Sequence, residues 1–463
     1  MATLDADPRA ARPELTAAAP AAHGSAYRWW VVFLLFLAYT LGSIDTRIMT
    51  LMFGEIRADL KLGDFEMSLL QGFATVLFVA VAGVPVGRIV DRIGSRGKFL
   101  ALGVVFWSLA TALCGLARSF GQLFLGRVAV GVGETTLGPS AYSLISDYFG
   151  PRRRALAISV YALGYPVGGG LGLVIGGLVL KAAQGWGDVI LPWIGLVRPW
   201  QMAFFIVGLP GLVVALLVAS IREPARQAPP PSMAEGAPSL REAAAFLVRR
   251  RRIYASLMLA TGLLGTLAIG TAIWYPTFLI RTYGMTPSEA GYAFGTLMIV
   301  CGVAGNLSGG WLSGALMARG MIDANPRIMI AVTLAKVVPL VVGPLMPNAT
   351  LALACMGLAT FIGQFSNGVA FAALQDITPS RMRGQVSALA ALMVAVLGTA
   401  LGSSLIAAVT QFVFGQDGDL RYSISLCAAV IAPVAALLFF VAMRPYREAI
   451  AEMEGPAIVS VRG

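Results

Sequence analysis

Among the ionisable side chains inside long apolar runs of this chain are Asp45 and Arg47 in one run, and Arg127 and Glu134 in another. Each such group costs about 2.5–3.5 kcal/mol to hold at the centre of a membrane helix, so its presence there marks a candidate path for ions or protons. Arg127 and Glu134 are seven residues apart and share one helix face, two turns apart. Asp45 and Arg47 are two apart and face different ways. The chemistry these residue types offer is exchange of partners. An ionised Glu134 binds an arginine, whereas a buried carboxyl parted from its arginine favours the protonated form. Glu134 is therefore the candidate proton carrier, with Asp45, Arg127 and Arg47 setting the field around it. A permanently paired structural carboxylate is the competing reading.

These groups need a membrane-spanning scaffold, and the composition supplies one. Of the 463 residues, 57% are hydrophobic and 12% charged, and the mean hydropathy is +0.78. An ordinary soluble domain carries about 25% charge. The 53 glycines and 25 prolines follow no collagen period, and so apolar a chain is not disordered. Cys114, Cys301, Cys355 and Cys427 lie singly in apolar runs, without a CxxC pair or a metal-ligand spacing. The single histidine, His23, stands in the N-terminal tail. Histidine triads and histidine-rich metal sites are thereby removed, so no enzyme, metal or cofactor is expected. A phosphate-binding loop ending in Gly-Lys-Ser/Thr is also missing, which argues against direct use of ATP.

About 20 apolar residues cross a bilayer as helix, because lipid offers the backbone no other hydrogen-bond partner. Twelve such runs are read. Those of the first half are 29–53, 67–90, 99–117, 120–148, 155–180 and 200–221; those of the second are 253–279, 289–317, 327–346, 349–377, 384–412 and 422–443. Residues 1–28 are polar and Ala/Pro-rich without a signal-peptide layout, so the first run is expected to be an uncleaved anchor. Most lysines and arginines fall in the tails and the even-numbered connections, which puts both termini in the cytoplasm. That distribution also explains the formal net charge of +11 without nucleic acid. The connection 222–252 opens on an extended linker with Pro229–Pro231 and continues as a short helix from about Ser239 to four arginines, Arg249–Arg252. Those arginines set topology or meet anionic lipid.

The expected fold is an all-α integral membrane protein with twelve transmembrane helices. Its parts are a tail over 1–28, a six-helix bundle over 29–221, the linker 222–252, a six-helix bundle over 253–443 and a tail over 444–463. Helix rise then sets Asp45 about 25 Å, Arg127 about 20 Å and Glu134 about 10 Å above the inner end of a core about 30 Å thick. This favours an Asp45–Arg127 pair and leaves Arg47 to reach the outer headgroups or turn toward Glu134.

An internal repeat relates the halves. Asp147, Pro151 and Arg154 follow the fourth run, and Asp376, Pro379 and Arg383 follow the tenth, at offsets of 229, 228 and 229 residues. Equal offsets imply duplication with parallel topology and a substrate site between the halves near mid-membrane. Between the second and third runs the chain reads Gly87-Arg-Ile-Val-Asp91-Arg92-Ile-Gly94-Ser-Arg96-Gly-Lys98. The glycines allow close helix approach and a tight turn. Asp91 suits the positive N-terminus of another helix, the eleventh run near Gly384, and Arg92 and Arg96 suit Asp147 across the half-interface. Gly87, Asp91, Arg92, Gly94, Arg96, Asp147 and Arg154 are thus the candidate gate, whose contacts close one side and break when it opens.

That loop resembles the signature of the major facilitator superfamily. With Gly131-Val-Gly133-Glu134 in the fourth run and Tyr165-Pro166-Val-Gly168-Gly169-Gly170-Leu-Gly172 in the fifth, the chain resembles the superfamily's spinster branch, most densely over residues 40–180. The family's first-run motif is Asn, two residues, then Asp-Arg. Here Gly42-Ser43-Ile44-Asp45-Thr46-Arg47 lacks the Asn and moves the arginine by one, which turns it by about 100° on a helix. The resemblance implies the major facilitator fold, alternating access and an amphipathic substrate such as a lysolipid, a sphingolipid-like molecule or a lipophilic drug.

Tyr161 and Tyr165 in the fifth run, Trp274 and Tyr275 in the seventh, Asn306 in the eighth, and Gln364 and Asn367 in the tenth are candidate cavity residues. Helix packing or an interfacial aromatic belt accounts for them equally well. Lys336 in the ninth run is expected to snorkel or to pair. The expected function is a proton-coupled secondary active transporter of an amphipathic, lipid-like or lipophilic small molecule. It is expected to act as a monomer in the plasma membrane, with substrate, protons and the lipid bilayer as its partners. Two other readings stay open. A proton symporter of small organic anions needs a cation left free in the cavity; a transport-dead receptor or scaffold needs no gating loop.

Overall fold

The computed structural model of the chain describes residues 24–74, 76, 85, 86, 89, 90, 92–224, 240–319, 321, 323–379 and 382–454. Among the described residues, nine helices are long and apolar enough to cross a membrane. They are Ser25–Leu51, Arg96–Cys114, Leu156–Trp186, Pro199–Ala219, Arg251–Tyr283, Pro287–Gly309, Ala324–Leu345, Gln385–Phe414 and Asp417–Glu452. They answer to runs one, three, five to nine, eleven and twelve, and the helices keep those ordinals below. Of the second run, 75, 77–84, 87 and 88 lie outside the described residues.

The fourth and tenth runs are each broken in two, as Phe120–Glu134 with Leu137–Tyr148 and as Ala349–Gln364 with Ser366–Asp376. Hydroxyls cause the breaks. Thr135 and Thr136 donate to the carbonyls of Val132 (2.6 Å) and Gly133 (2.9 Å), and Ser366 donates to that of Gly363 (2.6 Å), competing with the helical ladder. The repeat read from the sequence returns as contacts. Arg154 donates to the carbonyls of Ser146 (3.0 Å) and Phe149 (3.4 Å); Arg383 donates to those of Gln375 and Thr378 (both 3.1 Å). In each half the acceptors stand eight and five residues before the arginine, where the helix leaves its last carbonyls without partners. Likewise Arg96 meets Asp147 at 2.6 Å, and Asn325, 229 residues further on, meets Asp376 at 2.8 Å.

Glycines bring the fifth helix against its neighbours. A Cβ on Gly168 would lie 2.6 Å from the Thr40 carbonyl oxygen, and one on Gly172 2.8 Å from Ile44 Cα, so the first and fifth helices touch backbone to backbone. On another face, a Cβ on Gly170 would lie 2.7 Å from the carbonyl oxygen of Gly295 in the eighth helix. A Gly168→Val protein is accordingly expected to lose about 1–3 kcal/mol, because the opposing backbone cannot give way. A lower melting temperature in detergent checks this; unchanged melting contradicts it.

Three apolar cores follow. One belongs to the first half, built around Val32, Leu100, Trp107 and Leu144. One belongs to the second half, around Leu257, Met329, Leu374 and Phe439. The third takes Ile48, Phe53 and Leu70 from the first half together with Trp274, Phe278 and Leu420 from the second. The halves therefore share apolar packing on one side and keep separate cores on the other. The latter side carries the connection 222–252: Arg222 meets Tyr27 and Tyr148 there, and Arg250 pairs with Glu452 at 2.7 Å. It is called the linker face below.

Two elements depart from expectation. Val189–Leu191 and Gly195–Val197 form a small antiparallel hairpin, held by Arg118 through the carbonyls of Ile194 (3.0 Å) and Leu196 (3.2 Å). The last helix runs Leu420–Glu454, so the tail expected from 444 is helical as far as 454. The linker helix is Leu240–Arg249, and Pro229–Pro231 lie outside the described residues.

Candidate functional site

Asp45, Arg127 and Glu134 form an ionic trio, the first two buried and Glu134 partly so. Asp45 is 3% exposed. Its Oδ2 accepts from the Thr111 hydroxyl of the third helix, and its Oδ1 has no hydrogen-bond partner. Arg127 is 0% exposed, and none of its three guanidinium nitrogens has a hydrogen-bond partner among the described residues. Its charge acts on both carboxylates, Asp45 and Glu134. Glu134 Oε1 is likewise bare and lies over Gly42, where a Cβ would come within 3.5 Å of it. One cation is thus poised between two acids and bonded to neither, while each acid keeps an empty acceptor. A closed ion pair would leave nothing to exchange; this arrangement can exchange.

Arg47 stands apart from the trio. It packs on the fifth helix, its Nη2 donating to the Tyr165 hydroxyl at 3.4 Å. Asp45 therefore faces the third helix and Arg47 the fifth, as their spacing requires. Arg47 is buried, so it neither reaches outer headgroups nor joins Glu134 in this conformation.

On the face opposite the linker, ion pairs join the two halves. Arg281, at the end of the seventh helix, holds Asp64 through two bonds of 2.6 and 2.7 Å. Arg57 reaches Asp64 at 3.5 Å and also pairs with Asp417. The Phe65 amide donates to Gln411 at 3.0 Å, and the Ser288 hydroxyl donates to the Gly177 carbonyl at 2.9 Å. Beneath them Phe53 meets Trp274 edge-on at 5.2 Å. This side is sealed. The sequence reading missed the seal, because each of its charges sits at the end of a run, where a lone Asp or Arg reads as a flank.

The family model described as the Major Facilitator Superfamily matches residues 35–403. The chain belongs to the major facilitator superfamily. This facilitator is 28% identical over 93% of its length to an "MFS-type efflux pump" of Mycolicibacterium smegmatis, covering 96% of that protein. It is 27% identical over 83% of its length to "Protein spinster" of Drosophila melanogaster, spanning 62% of that protein. Among solved structures it is similar to a bacterial homolog of the human lysosomal transporter spinster, in an inward-facing and unoccupied conformation. The TM-score is 0.79 at 27% identity, over 92% of this chain and 99% of the other. The spinster resemblance thus holds in sequence and in structure, and the facilitator is a multi-pass membrane transporter.

Several expected site residues sit elsewhere than the sequence suggested. Trp274 and Tyr275 are fully buried; the indole donates to the Ser403 carbonyl at 2.9 Å and the phenol to that of Ala352 at 2.6 Å. Their polar tips are satisfied inside the protein, so they line neither cavity nor interface. Tyr161 is buried, stacked on Tyr39 at 5.0 Å and edge-on to Tyr142 at 5.5 Å. Its two neighbours were missed, although Tyr142 stands two helical turns past Glu134 on the same face. Tyr142 and Tyr165 are 48% and 46% exposed. Gln364 packs on the eighth helix, where a Cβ on Gly305 would lie 3.0 Å from its own. Asn306 is exposed, and the side chain of Asn367 lies outside the described residues. Lys336 is buried rather than snorkelling and makes no ion pair among the described residues.

The loop cluster also differs. Arg96 is buried and binds Asp147 (2.6 Å) and Ser143 (2.7 Å) of the first half, and Glu223 (2.6 Å) where the linker leaves the sixth helix. The Arg96–Asp147 pair therefore does not cross the half-interface: it ties the third, fourth and sixth helices of one half together. Arg92 and Gly94 are exposed, and Arg154 closes the end of the fourth helix. Gly87 and Asp91 lie outside the described residues.

Proposed function

We propose that this facilitator is a proton-coupled secondary active transporter that moves an amphipathic, lipid-like or lipophilic small molecule by alternating access. The observation that carries the proposal is Arg127, fully buried, its three guanidinium nitrogens without a hydrogen bond among the described residues, in the field of Asp45 and Glu134. Such a group is costly unless its partner changes during the cycle. With Glu134 ionised, Arg127 is drawn to it. With Glu134 protonated, Arg127 falls to Asp45, which Thr111 holds in position. Glu134 ends the first piece of the broken fourth helix, so the exchange acts where that helix can bend.

The half-exposed Tyr142, and Tyr165 beside Arg47, suit a molecule with a polar end and an apolar body. Similarity to a "Sphingosine-1-phosphate transporter SPNS2" of Danio rerio, 27% identical over 55% of this chain and 50% of that protein, supports the same class. The orientation that fits the basic flanks has the linker face in the cytoplasm of a plasma membrane, with 29–221 and 253–443 as the rocking bundles of a monomer. A proton symporter of small organic anions is the second reading. Arg47 favours it, since none of the described ion pairs holds that cation.

Proteoliposomes loaded with fluorescent lysolipid or with a radiolabelled sugar acid test both readings under an imposed pH gradient. Gradient-dependent flux of the lysolipid alone is expected. Flux of the sugar acid alone favours the second reading, and no flux of either returns the scaffold reading.

A further inference from the structure

In the second half, away from the trio and the seal, a narrow apolar groove of 330 Å³ runs between the eighth, ninth and tenth helices. Its walls include Leu312 and Leu316, Val332, and Ile362 and Phe365, and the charged residue in its lining is Arg327. Arg327 stands in the first turn of the ninth helix, at the linker face. Its Nε bonds Asp323 at 2.9 Å, and Arg447 of the last helix holds the other oxygen of the same carboxylate at 2.6 Å. The Asp323 side chain is 6% exposed, whereas the two arginines are 52% and 49% exposed. Partial burial pushes the Asp323 carboxyl up, but its bonds to Arg447 and Arg327 outweigh this and hold it below the usual carboxylate range. One ionised acid therefore aligns two guanidinium groups at the mouth of an apolar slot, leaving one excess positive charge turned outward. The first half carries Gly94 and Lys98 at the corresponding positions, so this device is not part of the repeat.

We infer that the groove binds an anionic phospholipid of the leaflet at the linker face, its phosphate on Arg327 and Arg447 and one acyl chain along the slot. Charge selects this occupant. A planar guanidinium pair suits phosphate oxygens, and basic pockets between membrane helices hold anionic headgroups. Size agrees, since 330 Å³ lies near the lower end of the range of about 300–1,000 Å³ for bound small molecules. Phe365, the residue at which the tenth helix breaks, lines the slot, so a bound chain would rest against that bend.

Native mass spectrometry of the full chain tests this, with phosphatidylglycerol, phosphatidylcholine and inorganic phosphate offered in turn. Phosphatidylglycerol adducts are expected to survive at about tenfold lower lipid concentration than phosphatidylcholine adducts. The Arg327→Gln/Arg447→Gln protein should lose that preference. Val332→Trp, which fills the slot and keeps the arginines, should lose adducts of both lipids. Equal retention of the two lipids by the wild type overturns the inference. So does undiminished phosphatidylglycerol binding by Val332→Trp, or phosphate binding as strong as lipid binding. A dimer that Val332→Trp abolishes would assign the groove to a second copy instead. If the double variant does not fold, the wild type against Val332→Trp decides alone.

Discussion

Exchanging Glu134 for glutamine is expected to abolish transport driven by a pH gradient while leaving substrate exchange at equal pH in place. Glutamine keeps the shape that fills the space over Gly42, but it has no proton to release and no charge to draw Arg127. The arginine then stays with Asp45 whatever the pH. With no proton to carry, gradient-driven uptake should fall by at least about a hundredfold, to background, a loss of about 2.8 kcal/mol. Counterflow of preloaded substrate needs no proton release and should persist. Uptake by Glu134→Gln at the wild-type rate under the same gradient would remove the residue from the coupling path.

A second large effect is expected at the seal. Asp64 is 3% exposed and its partner Arg281 has a side-chain exposure of 14%, so Asp64→Asn strands a mostly buried cation. Removing one partner of a buried ion pair costs about 3–5 kcal/mol, and here that cost falls on the sealed conformation alone. Once the halves part on that side, water solvates Arg281 and Arg57 in either protein. About 5.5 kcal/mol moves a two-state equilibrium from 1:99 to 99:1, so the substitution should come close to inverting the populations. A cysteine at Ser404, which bonds Ser68 across the halves at 3.2 Å, reports this through an impermeant maleimide added on the seal side. Labelling should be slow with Asp64 present and fast in Asp64→Asn. Arg96→Ala supplies the contrast: its partners lie in the first half and at the start of the linker, so it should lower the melting temperature without changing the labelling. Equal labelling with and without Asp64 would mean that the ion pairs are incidental to closure.

What the sequence disclosed and what it hid follow from the range of each signal. Apolar runs are local, so the helices could be read directly. Charges within those runs are also local, and Asp45, Arg127 and Glu134 do come together. The spacing of 228–229 residues was visible at three positions because Arg154 and Arg383 do the same work on the helix before them. Pairing across the halves is not local. Asp64 and Arg281 are 217 residues apart, and neither carries a mark of the other. The Arg96–Asp147 bond was legible as a pair, but a bond within one half looks the same in sequence as one between halves. Hydropathy likewise cannot tell a lipid-facing aromatic from an interior one, which is why Trp274 and Tyr275 were misread. The breaks in the fourth and tenth helices rest on hydroxyls of Thr135, Thr136 and Ser366 bonding backward, and that choice depends on the neighbours around each turn.

Spin labels on Lys61 and Gly418, either side of the seal, give the most direct test of whether the proton on Glu134 moves the halves. Their distance distribution is read in lipid nanodiscs at acid and alkaline pH. Two populations that exchange weight with pH are predicted for the wild type, and a distribution indifferent to pH for Glu134→Gln. The same pH response in both proteins would contradict the account.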